Sequence, residues 1–99
     1  MGIEEGQITR EFQSLVYPNP NSGEFEVELR GENLLFAREA LFMEIMDMQG
    51  KLLLQREIEP SQANWHREQV SMPGLSKGMY FLRLRQDRDI LSIHKIIKQ

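Results

Sequence analysis

At 99 residues the chain is long enough for one domain with its own core and too short for two. Its 40% hydrophobic and 27% charged residues exclude a disordered chain, and a net charge of −3 with interspersed signs lacks the basic stripe of a nucleic-acid binder. Cysteine is absent, which excludes disulfides, zinc thiolates and cysteine nucleophiles.

No apolar run reaches the roughly 18 residues of a membrane span, so no membrane insertion is expected. No signal-peptide pattern opens the chain, so an exported protein would carry it as the tail of a longer precursor. Residues 1–11 are polar and without periodicity, which predicts a flexible tail or linker; residues 12–99 form the folded domain.

Phe12 to Tyr17 reads as a first strand, stopped by Pro18 and Pro20, which cannot donate to a ladder. Asn21-Ser22-Gly23 is turn chemistry. Glu24 to Leu29 alternates strictly, with Phe25, Val27 and Leu29 facing a core and Glu24, Glu26 and Glu28 facing water. Gly31 to Ala40 suits a helical turn or, better beside so many strands, a loop crossing between two sheets. Leu41 to Met48 is the next strand, with Leu41, Met43 and Ile45 on one face and Met46 and Met48 on the other. Gln49-Gly50 predicts a tight hairpin that returns through Lys51 to Ile58.

Pro60 to Asn64 is a loop, and Trp65 to Met72 a strand with Val70 and Met72 inward, broken by Pro73-Gly74. Gly78 opens a strand with Tyr80, Leu82 and Leu84 inward and Arg83 and Arg85 outward. Asp87-Arg88-Asp89 is a turn before the last strand, Ile90 to Ile97. There Leu91, Ile93 and Ile97 share a face with Lys95, which calls for a β-bulge or an edge position. About seven antiparallel strands with turns between them predict an all-β, immunoglobulin-like β-sandwich, and Gly78-Met79-Tyr80 suits its tyrosine corner.

Chemistry finds little to converge on. His66 and His94 lack a metal-ligand spacing and read as surface histidines. Glu24, Glu26 and Glu28, or Asp87 and Asp89, could offer calcium oxygen ligands; a solvated sheet face and a turn account for them more simply. No nucleophile elbow, dinucleotide loop or P-loop occurs, so no catalytic residue, metal or cofactor is assigned. Trp65, Phe81 and Met79 are either an exposed contact patch or isolated exposed residues.

Four short stretches carry a resemblance. They are Tyr17-Pro18-Asn19-Pro20-Asn21-Ser22-Gly23; Met43 to Lys51, containing Asp47, Gly50 and Lys51; Leu75 to Tyr80, containing Gly78 and Tyr80; and Lys95-Ile96-Ile97-Lys98 before Gln99. In this order, from about Phe12 to Gln99, they resemble the type A C-terminal sorting domain of proteins exported by the type IX secretion system. The resemblance implies a non-enzymatic signal domain of Bacteroidetes-type bacteria. Such a domain directs an attached N-terminal cargo through the periplasm and across the outer membrane to the cell surface or medium. Its partners are the secretion machinery and a surface sortase-like protease that removes it. The last strand, Lys95, Ile96, Ile97, Lys98 and Gln99, is then the candidate for recognition, by edge pairing with lysine charge as steering or, more simply, with the lysines as edge protection. Tyr17 to Gly23 and Gly78 to Tyr80 belong mainly to the fold. The alternative is an immunoglobulin-like accessory module that binds carbohydrate or protein beside an enzyme domain, for which an exposed aromatic platform would speak.

Overall fold

The structure, a computed structural model, describes residues 12–31, 40–60 and 62–99. The expected linker 1–11 and most of the expected crossover between Gly31 and Ala40 lie outside them. The described residues form seven strands and no helix: β1 Phe12–Tyr17, β2 Glu24–Gly31, β3 Leu41–Met46, β4 Leu52–Ile58, β5 Trp65–Ser71, β6 Gly78–Gln86 and β7 Asp89–Lys98. They pair antiparallel in two sheets, β1-β2-β5 and β4-β3-β6-β7. This is an immunoglobulin-like sandwich. The fourth strand stays beside the third because the connection between them is a tight turn at Asp47–Gly50.

Alternation builds the core. Phe25, Val27 and Leu29 of β2 and Val70 of β5 meet Leu41, Met43 and Ile45 of β3, Ile58 of β4, Leu82 and Leu84 of β6 and Ile96 of β7. Each such side chain stabilises the fold by about 1.5–3 kcal/mol on burial. Met72 packs against this core while Met48 is exposed at the hairpin tip. Tyr80 reaches past the core, and its hydroxyl donates to the Ser76 carbonyl at 2.6 Å, which is the tyrosine corner.

Four expectations need correction. Glu28 does not face water: Tyr17 Oη donates to it at 3.0 Å and Arg30 Nε at 2.8 Å, and it is 8% exposed. Leu91 does not share a face with Lys95. The register shifts between Leu84 and Arg85, so that Leu84 pairs Ser92 but Arg85 pairs Ile90, and Leu91 is the bulged residue that packs inward. His66 and His94 are not surface residues: both stand on inward positions, His66 buried and His94 half-buried. Trp65 is in the three-stranded sheet, away from Phe81 and Met79 in the other, so the three do not form one patch.

Candidate functional site

The first and last motifs of the chain meet. After Tyr17 the chain leaves β1 through two cis X-Pro bonds, Tyr17-Pro18 and Asn19-Pro20, and runs along the outer edge of β7. There Asn19 Nδ2 donates to the Lys95 carbonyl at 2.6 Å and its Oδ1 accepts the Ile97 N–H at 2.9 Å. One side-chain amide thus satisfies the edge as a strand's main chain would. Asn21 continues the pairing in parallel sense: its N–H donates to the Ile97 carbonyl at 2.9 Å, and its carbonyl accepts the Gln99 N–H at 2.8 Å.

Asn21 can do this because its own side chain holds the turn. Nδ2 donates to the Pro18 carbonyl at 3.0 Å and Oδ1 accepts the Gly23 N–H at 2.8 Å. Gly23 follows at φ 103°, and a Cβ there would stand 2.6 Å from the Met72 carbonyl oxygen. Only glycine meets both demands. The same Gly23 carbonyl accepts the Met72 N–H at 2.7 Å, which ties the turn to the end of β5.

The terminal residues therefore have unlike environments. Ile96 is core, 2% exposed. Lys98 folds back, its ammonium donating to the Pro73 carbonyl at 2.9 Å and to the Leu75 carbonyl. Lys95 and Ile97 project from the outer face of the four-stranded sheet, opposite Phe81 and Met79. Gln99 is exposed, with its N–H bound to Asn21. From Lys95 to Gln99 the outward main-chain groups are already occupied, and edge pairing by a partner there would first have to displace the Asn19–Asn21 segment.

The middle motif is a turn. Asp47 Oδ1 accepts the N–H groups of Gln49 at 2.9 Å and Lys51 at 2.8 Å, and Gly50 at φ 87° closes it.

Inside the seam between β1 and β7, Ser14 Oγ lies 2.6 Å from His94 Nε2 and 2.8 Å from Ser92 Oγ. Burial holds the His94 pKa below its ordinary value and keeps the ring neutral. A serine–histidine contact is half of a nucleophilic site; among the described residues no carboxylate binds the ring to orient it. No group of three or more His, Asp or Glu that could hold a metal ion occurs among them either. On the outer face of the four-stranded sheet, Glu44 is 4% exposed and bound by Arg83 at 2.7 Å and Arg85 at 3.1 Å. Burial raises its pKa, but the two guanidiniums outweigh that and hold it below the ordinary carboxylate value.

A family model described as the secretion system C-terminal sorting domain matches residues 15–99. The chain belongs to that family. No curated protein matches it. A sorting domain of this family is a C-terminal signal for type IX secretion, which directs the protein that bears it to the cell surface or beyond. The family is one of signals rather than catalysts, and its activity is interaction with the secretion system on behalf of an attached cargo.

The sequence alone missed what Asn19 and Asn21 do. The signal was present, as Asn19 between two prolines and Asn21 just after them, with a basic strand at the other end of the chain. The contact joins residues 76 and 78 positions apart, however, and periodicity carries no information over that span.

Proposed function

We propose that the secretion machinery reads this domain folded, at the junction where the Tyr17–Gly23 turn holds the last strand. Residues 1–11 would link it to the cargo. Passage runs through the periplasm, and a surface sortase-like protease removes the domain after export. The supporting observation is the Asn19 amide, which spends both its donor and its acceptor on Lys95 and Ile97. It fixes the strand so that Lys95 and Ile97 are presented as side chains on a rigid sheet rather than as an open edge. The accessory-module alternative gains no support. Trp65 of β5 is half-buried with the Arg67 guanidinium 5.2 Å from its ring centroid, which leaves no bare aromatic platform there.

The test is transport. The chain is fused behind a periplasm-directed fluorescent protein in a host with a working type IX system. Three comparisons accompany it: a copy ending at His94, an Asn19→Ala copy, and a secretion-deficient host. Surface or medium fluorescence is expected for the parent and lost in the truncation. In Asn19→Ala, which keeps every terminal side chain but frees the strand, it should be reduced several-fold. Full export of the folded Asn19→Ala protein would remove the junction from the account.

A further inference from the structure

The outer face of the four-stranded sheet carries two neighbouring rows of side chains. Leu52, Met46, Phe81 and Lys95 stand side by side across the strands, and Gln55, Glu44, Arg83 and Ile93 form the row beside them. Met79 and Ile97 extend the first row toward the chain end, and Ile90 lies beyond the second. Of the eight strongly exposed large apolar side chains among the described residues, six lie here or at the adjoining hairpin: Met48, Leu52, Met79, Ile90, Ile93 and Ile97. Singly exposed apolar residues need no explanation; a contiguous set does. Between the hairpin and the sheet the face is concave, with a cleft of about 420 Å³ lined by Met46, Met48, Gly50, Phe81 and Ile93 and bordered by Arg83.

Charge defines the occupant. Glu44 alone answers the two guanidiniums of Arg83 and Arg85, and Lys95 makes no ion pair among the described residues. The Asp47 carboxylate at the cleft's rim uses only Oδ1 in its own turn and adds one formal negative charge, which leaves Arg83, Arg85 and Lys95 one positive charge in excess of Glu44 and Asp47. The half of the face toward β7 is therefore apolar with surplus positive charge, although the chain as a whole is at −3. A second copy set face to face would oppose like charges. The opposite outer face differs: Arg30 pairs with Glu28 and Arg67 with Glu26.

Resting on the sorting reading, we propose that this face docks a protein partner that inserts an apolar side chain into the Met46–Phe81–Ile93 cleft and sets carboxylates against Lys95 and Arg83. Lys95 and Ile97, the two side chains of the terminal motif on this outer face, belong to this surface, which joins it to the Asn19–Asn21 junction.

Three exposed positions test it in the fluorescent fusion of the full chain: Ile93→Glu and Lys95→Glu on this face, and Leu15→Glu on the other sheet. Ile93 and Leu15 are each 56% exposed, so folding should survive, as a thermal melt of each variant checks. Export should fall about tenfold or more for Ile93→Glu, as for the loss of a binding hot spot. It should fall less for Lys95→Glu and stay unchanged for Leu15→Glu. Parental export by both Ile93→Glu and Lys95→Glu, with the truncation at His94 still retained, would overturn the docking face and leave the sorting reading standing. Retention of the parent itself in a competent host would reject both. Sedimentation supplies a further outcome: a dimer of the parent abolished by Ile93→Glu would make a second copy the occupant and overturn the proposal.

Discussion

The sandwich has two open sides, and they are closed by different chemistry. Where β4 faces β5, long charged side chains cross. Arg56 Nη1 donates to Glu68 Oε2 at 2.9 Å and to the Gln69 carbonyl at 2.8 Å, and Glu68 Oε1 meets His66 Nε2 at 2.8 Å. Where β1 faces β7, no charge is used. Ser14 bonds both Ser92 and a neutral His94, and below them the Asn19–Asn21 segment binds the main chain of the last strand. Four hydrogen bonds, at about 0.5–1.5 kcal/mol each, hold that strand in place. The difference teaches where position matters. The side bearing the terminal strand is closed by short groups that tolerate little displacement, the other by side chains with length to spare.

The strongest way to break the comparison is Gly23→Ala. The added Cβ meets a main-chain oxygen at 2.6 Å in a left-handed conformation, so the turn must shift. The expected cost is about 3 kcal/mol or more, read as a fall in the urea midpoint, with early loss of amide protection at Ile97 and Gln99. A change below about 0.5 kcal/mol would show that the turn does not hold the strand.

Next in size is Glu68→Ala, which leaves Arg56 and His66 without their common partner on the charged side; about 1–3 kcal/mol is expected. Salt sharpens the contrast. Raising ionic strength to 1 M should narrow the gap between parent and Glu68→Ala and leave the Gly23→Ala gap unchanged. Equal salt responses would mean that the two sides are not electrostatically distinct.

The smallest effect is that of pH. Burial depresses the His94 pKa in the folded state, so the unfolded chain binds the proton more readily. The neutral seam's contribution is complete above about pH 6.5 and is lost as pH falls from there through the folded pKa. Burial raises the Glu68 pKa, but His66 and Arg56 outweigh it and leave the value lowered. The contribution of Glu68 is therefore present above about pH 4.5 and lost below that. Urea midpoints at pH 7.5 and 5.5 should thus differ for the parent and differ less for His94→Gln. An unchanged pH response in His94→Gln would remove the histidine from the seam's energetics.

Much of this was legible along the chain. Phe25, Val27 and Leu29, and likewise Tyr80, Leu82 and Leu84, alternate without interruption, and a period of two needs only neighbours in sequence to be read. Asp47 reads along the chain as part of the strand Leu41 to Met48, whereas the strand ends at Met46 and Asp47 holds the turn. The Gln49-Gly50 turn itself was legible from its glycine. The buried carboxylates were not. Glu28 and Glu44 look like outward residues of amphipathic strands, and they are outward. Cross-strand partners, Tyr17 on β1 for one and Arg83 and Arg85 on β6 for the other, bury them there. Nor was the last strand's face, because the bulge at Leu91 is a property of its register against β6.

The sequence by itself determined the strand rhythm, the turns, the core-facing side chains and, through four spaced motifs, the family. These rest on local sterics and on the polarity of adjacent residues. Tertiary structure alone decided that Asn19 and Asn21 would guard the terminal strand, that Lys98 would turn inward while Lys95 stays out, and that one sheet would keep an apolar face. Each depends on which distant strand becomes a neighbour, and that follows from how two sheets pack, not from any single stretch of chain.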